Sequence, residues 1–148
     1  MNVPHFQQEL DYSCLAACVR MALAFYGNLQ SEKELRVLLK TRAGGTSPAN
    51  VLLRLPQLGF NAEILEASAS YLQNQIQVGC PCIVYVGTPL LPYWKDEAIH
   101  SIVVSAINSQ TVWAHDPILT SGPTEIERAD FMRAWAATGY VTLRITPQ

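Results

Sequence analysis

The chain has 148 residues, 49% of them hydrophobic and only 15% charged, with a net charge of −2, which suits one compact domain over residues 1–148 with a sizeable buried core. Its ten Lys and Arg are scattered singly, so the basic footprint that nucleic-acid binding requires is missing. Apolar runs such as residues 82–86 fall far short of the roughly 20 residues of a membrane-spanning helix, and Met1-Asn2-Val3-Pro4-His5 has no secretory-signal character, so a cytoplasmic location with no membrane span in this chain is expected.

In chain order, Cys14, Cys18, Met21, Ala22 and Phe25 recur at helical spacing, predicting a first helix over residues 13–25, with Asp11 or Ser13 as cap and Gly27 after its end. Ser31 and Glu34 form an S-x-x-E box opening a second helix that runs to about Lys40, before the Gly44-Gly45 turn. Ser47 and Pro48 start a third, closed by Gly59. The period then changes. Residues 61–67 read as a strand, Ser68 caps a small helix with Tyr71, Leu72 and Ile76, and residues 81–87 form an apolar strand. A loop over residues 88–98 carries two prolines and exposed aromatics. Residues 99–107 and 111–116 form a hairpin around Asn108-Ser109-Gln110; a short helix over 130–136 and a strand over 140–145 follow. Helices first and an antiparallel sheet second predict an α+β fold with the helices on one side of the sheet.

The four cysteines, at 14, 18, 80 and 82, are too sparse for a disulfide scaffold, and Cys80-Pro81-Cys82 is spaced poorly for zinc. No cofactor or metal is expected. Thiol catalysis needs a Cys held as thiolate, a His to pair with it and a group that orients the His. Cys14 lies in the first turn of a helix, where free backbone N–H groups and the dipole favour an anion and lower a thiol pKa from about 8.5. A three-residue hairpin loop sets Ile107 against Thr111 and Ile102 against Asp116, so His100 is the diagonal neighbour of Asp116. In that register Ile102, Val104, Ala106, Val112 and Ala114 share their face, and a carboxylate there needs the imidazole as partner. The bland alternative is a satisfied core His and an Asp that turns the chain before Pro117. His5 reads as lying at a mobile end, His115 as surface or packing, and Tyr93, Trp94 and Trp135 as packing rather than groove residues.

The stretch Gln8-Glu9-Leu10-Asp11-Tyr12-Ser13-Cys14-Leu15-Ala16-Ala17-Cys18, with Met21, Tyr26 and Gly27, resembles the N-terminal signature of the C39 cysteine peptidases, papain-like domains that remove leader peptides after a double glycine. His100-Ser101-Ile102-Val103-Val104 resembles that family's His motif, Asp116-Pro117 its Asp-Pro, and Pro81-Cys82-Ile83-Val84 the strand before the His. The resemblance implies a papain-like α+β peptidase fold, with Cys14 as nucleophile, His100 as general base and acid, Asp116 as orienting group and Gln8 as the oxyanion-hole side chain. A neutral amide donor near a helix N-terminus, beside the Cys14 N–H, is also what an oxyanion hole requires. Gln7 lies one residue out of register. The chain departs from the family in having Leu15 after the cysteine and Ser13 before it, where Gly and an acid are usual. Ending at Gln148, without transporter parts, it is expected to act as a free-standing enzyme on a peptide or protein substrate, such as a precursor with a leader peptide. The other readings are an acyl or peptidyl transferase using the same acyl-enzyme, and a non-catalytic peptide-binding module.

Overall fold

The computed structural model describes residues 1–94, 96 and 98–148. Local capping chemistry sets several element boundaries. The Ser31 hydroxyl accepts from the Glu34 N–H at 3.0 Å and starts α2 (Glu32–Leu38), and Ser68 accepts from Tyr71 N–H at 3.1 Å at the start of α4 (Ala69–Gln77). The second helix stops two residues before the expected Lys40, because Lys40 itself adopts a left-handed φ of 55° and Thr41 N–H closes back on Arg36 O at 2.9 Å. This is a Schellman end made without glycine, so its usual sequence mark is absent. The other α-helices among the described residues are α1 (Cys14–Phe25), α3 (Pro48–Arg54) and α5 (Arg128–Ala136).

The strands are β1 (Phe60–Glu66), β2 (Cys82–Gly87), β3 (Ile99–Ile107), β4 (Thr111–His115), β5 (Thr124–Glu127) and β6 (Val141–Pro147). They pair antiparallel throughout in the order β1-β6-β2-β3-β4-β5. The fold is therefore α+β with the N-terminal helices on an antiparallel sheet, as expected, but the sheet is covered on both faces rather than one. Ile83, Val103, Leu143 and Ile145 pack with Cys18, Met21 and Leu35 on one face. The alternate residues Val84, Ile102 and Val104 pack with Leu72 of α4 and with Phe131 and Trp135 of α5 on the other. Period-2 alternation with both sets apolar buries a sheet on two sides.

The β3–β4 hairpin corrects the expected register at its turn and keeps it at the far end. Ile107 pairs with Val112 rather than Thr111, since Asn108 Oδ1 accepts from the Gln110 and Thr111 N–H groups and tightens the turn. A bulge between Val104 and Ala106 then absorbs one residue, so Val104 meets Ala114 and Val103 meets His115, the pairs of the expected register. The bulge also moves Ala106 off the face shared by Ile102 and Val104: it pairs with the half-buried Trp113 and lies outside that core. No helix among the described residues is long and apolar enough to cross a membrane.

Candidate active site

At the N-terminus of α1, Ser13 occupies the cap position without making a side-chain cap bond. Its hydroxyl turns instead to Leu10 and to Glu32, whose buried carboxylate also accepts from Glu9 N–H at 3.0 Å and pairs with Arg36 at 3.0 Å. The first-turn N–H groups are thereby left free beside Cys14, where a negative charge is favoured. Of the four free thiols, Cys14 alone is not buried. One turn deeper, the Cys18 sulfur donates to the Ser101 carbonyl at 3.3 Å, pinning the start of α1 to the start of β3.

On β3, His100 is buried and its Nε2–H donates to Asp116 Oδ1 at 2.6 Å. The carboxylate is fully enclosed and saturated: Ile118 N–H donates to Oδ1 at 3.0 Å, and Tyr93 OH and Trp94 Nε1–H donate to Oδ2 at 2.8 and 2.9 Å. Trp94 also sets its ring against His100, with centroids 4.6 Å apart. With Nε2 committed to Asp116, Nδ1 is the nitrogen left for the thiol.

These neighbours decide the charges. Burial raises the Cys14 thiol, but hydrogen bonding to His100 and its charge, aided by Ser101, bring it from 9.0 down to about 7. Burial would likewise lower His100, yet its bonds to Asp116 and Cys14 carry it from 6.5 up to about 9. Burial works to raise Asp116, and the hydrogen bond and charge of His100 outweigh it and hold the carboxyl below its usual range. A thiolate and an imidazolium therefore coexist near neutral pH. Cys18 is raised by burial and by Cys14. Cys80 is lowered to about 6, chiefly by a hydrogen bond from Cys82, but it is buried and the groups that act on it are Cys82, Tyr26 and Arg144 rather than an imidazole.

A cleft of about 360 Å³ joins Cys14 and His100 to Gln8, Tyr12, Trp94 and the Gly44–Gly45 turn. The structure thus sets Cys14, His100 and Gln8 on one cleft, with Asp116 buried behind His100. The Gln8 amide nitrogen donates to Leu10 O at 2.7 Å and Asp11 O at 3.3 Å, and its backbone N–H donates to Pro117 O at 2.7 Å. Gln7 reaches Ile118 O at 3.2 Å. Tyr93 and Trp94, read from sequence as packing or exposed loop aromatics, are instead half-buried partners of Asp116; their N–H and O–H groups were the available signal. His5 is likewise no free end: its Nδ1 lies 3.1 Å from His115 Nδ1 and its Nε2 2.8 Å from Leu119 O.

The Peptidase C39 family profile matches residues 2–147. The chain is 30% identical over 132 residues to the pediocin PA-1 transport/processing ATP-binding protein of Pediococcus acidilactici, covering 88% of this chain and 17% of that protein. It is 30% identical over 139 residues to a lactococcin transport/processing ATP-binding protein of Lactococcus lactis, covering 94% of this chain and 18% of the relative. The chain therefore spans less than a fifth of the length of these relatives. In fold it is similar to the peptidase domain of Streptococcus ComA, a bifunctional ABC transporter involved in quorum sensing, with a TM-score of 0.80, 23% identity, and coverage of 99% of this chain and 100% of that one. It is also similar to a double glycine motif protease from an AMS/PCAT transporter solved with its leader peptide, with a TM-score of 0.78, 22% identity, and coverage of 99% and 93%. On these matches, the chain belongs to the peptidase C39 family.

Proposed function

We propose that this chain is a thiol peptidase that cuts a peptide through an acyl-enzyme on Cys14, after small residues such as the Gly-Gly that ends a leader peptide. The observation that carries this reading is the His100 ring, tied to Asp116 through Nε2 at 2.6 Å and turned toward Cys14 with its other nitrogen. In the reaction the Cys14 thiolate attacks the scissile carbonyl carbon, and the tetrahedral oxyanion takes hydrogen bonds from the Cys14 N–H and the Gln8 amide. Gln8 provides that donor by exchanging its longer bond to Asp11 O. His100 gives its Nδ1 proton to the leaving amine as the C–N bond breaks, leaving a thioester. Neutral His100 then takes a proton from water, whose oxygen attacks the thioester and releases the acid and the thiolate. Asp116 holds the ring in the required tautomer throughout.

Family membership supports a peptide substrate, and the relatives named as transport and processing proteins support a precursor with a leader. The Gly44–Gly45 turn and Trp94 both line the cleft, which favours small residues beside the cut. Four free thiols agree with a cytoplasmic site of action. The test is incubation with a peptide library that includes leader sequences ending in Gly-Gly, with cleavage sites read by mass spectrometry and the Cys14→Ala variant as control. Cleavage after small residues that is lost in Cys14→Ala is expected. New amide or thioester products would replace hydrolysis with transfer, and binding without turnover would make the chain a peptide-binding module.

A further inference from the structure

Residues 1–13 lie in no helix or strand, yet they carry Gln8, whose amide must be aimed before an oxyanion forms. A run of hydrogen bonds ties this segment to α2. The Gln8 Nε2–H group donates to Leu10 O at 2.7 Å, the shorter of its two bonds. Leu10 O also accepts from Ser13 N–H at 3.2 Å, which fills its two lone pairs and closes the turn over residues 10–13. Leu10 N–H in turn donates to Ser13 Oγ at 3.0 Å. The Ser13 hydroxyl has one proton and two acceptors in reach, Leu10 O at 3.0 Å and Glu32 Oε1 at 3.1 Å. Leu10 O is already engaged and a carboxylate is the stronger acceptor, so the proton goes to Glu32. Glu32 Oε1 also accepts from Glu9 N–H at 3.0 Å, while Arg36 sets Nε 3.0 Å from Glu32 Oε2 and Nη2 2.9 Å from the Glu9 carboxylate.

Glu32 is fully buried. Enclosing a carboxylate is costly, and apolar side chains in place of a buried ion pair are often equally stable or more so, so packing alone does not account for it. Its hydrogen bonds go to the residue after Gln8 and to the residue before Cys14, the inner neighbours of the two oxyanion donors. We propose that Glu32 is a positioning residue of the oxyanion hole: through Glu9 N–H and the relay of Ser13 and Leu10 it fixes the peptide oxygen on which the Gln8 amide pivots. This rests on the reading of Gln8 as an oxyanion donor. When Gln8 releases Asp11 O for the oxyanion, its bond to Leu10 O keeps the amide plane aimed, and Leu10 O stays in place because Ser13 and Glu32 hold the turn. A carboxylate serves because it only accepts; an amide in its place would turn an NH2 either toward the Glu9 and Ser13 donors or toward Arg36.

The experiment follows cleavage of an internally quenched peptide with Gly-Gly before the cut by the full chain, and in parallel alkylation by dilute iodoacetamide, which consumes the thiolate without forming an oxyanion. Glu32→Gln should lower kcat about tenfold with KM little altered, and leave the alkylation rate of Cys14 within about twofold of wild type. In a Gln8→Ala background the same substitution should cost less than about twofold, because the group it acts through is gone. Loss of packing alone would lower kcat equally in both backgrounds. An unchanged kcat, a loss confined to KM, a full loss persisting beside Gln8→Ala, or alkylation slowed in step with cleavage each overturns the role of Glu32 and leaves the peptidase standing. Gln8→Ala that cleaves like wild type overturns the oxyanion reading of Gln8, and a wild-type chain that leaves the peptide intact overturns the peptidase reading, each taking this role with it. If Glu32→Gln fails to fold, Ser13→Ala cuts the relay at its middle, and the same outcomes there overturn the proposal equally.

Discussion

His100 and His115 sit on neighbouring strands at almost equal exposure, 4% and 2%, yet they are pushed in opposite directions, to about 9 and about 4. Burial lowers both. At His115 the only nearby charge among the described residues is that of His5, which adds to burial, whereas at His100 a carboxylate with three further donors and a thiol reverse it. The hydrogen bonds agree. Because Leu119 O can only accept, His5 Nε2 carries a proton, so in neutral His5 Nδ1 is the acceptor and His115 Nδ1–H the donor. That pair is a latch between the N-terminal segment and the segment after β4. Neither depth nor residue type separates these two histidines; the neighbour that must be an anion does.

The largest expected effect tests this contrast directly. His100→Ala should reduce kcat/KM by about 10⁴-fold or more, while His115→Ala should stay within roughly threefold and show its effect in a lower Tm. Comparable losses in a cleavage assay would erase the distinction. Asp116→Asn comes next. All four groups around the carboxylate are donors, so either orientation of an amide turns an NH2 toward two of them; kcat should fall by hundreds of fold with a near-native circular dichroism spectrum. Unchanged kcat would show that the anion does not govern His100.

Gln8→Ala should lower kcat by on the order of a hundredfold with KM little altered, and an effect confined to KM would assign Gln8 to substrate binding instead. Trp94→Phe keeps a ring beside His100 but removes the Nε1 donor, and a loss of about tenfold in kcat is expected from single-turnover measurements. The smallest effects are in pH. With the thiol lowered to about 7 and the imidazole raised to about 9, kcat/KM should rise through the first value and fall through the second. His115 has the opposite signature. Its folded-state value lies below 6.5, so the unfolded chain binds more protons between about 4 and 6.5, and Tm should climb over that window and level off above it. A Tm that is flat there, or an unaltered slope in His115→Gln, would remove the latch from the account.

The parts of the site that chain-local chemistry controls were legible before any fold was known: a cysteine at a helix start, and a His and an Asp on adjacent strands. The register near the site came out as expected only because the bulge between Val104 and Ala106 cancels the tighter turn at residues 108–111, and two compensating one-residue offsets leave no trace in hydrophobic alternation. Glu32 was hidden because it reads as an ordinary first-turn acid of α2, and only tertiary packing turns it inward toward Glu9 and Ser13. Tyr93 and Trp94 lie in a loop with no period to read. The edge strand β5, four residues with a single buried side chain, Ile126, is too short to stand out.

The bonds from Gln8 N–H to Pro117 O and from His5 to Leu119 O, the latter between residues 114 apart, have a consequence for how the molecule comes into being. Helix α1 and its cysteine can form from local sequence within moments, but the imidazole, the carboxylate and the strap that holds Gln8 arrive only after the chain has closed on itself across most of its length. Contacts of such sequence separation form late, since loop entropy must be overcome before they reward it. During synthesis and early folding Cys14 is therefore an ordinary thiol, and it meets His100 only once the surrounding chain has adopted its final structure.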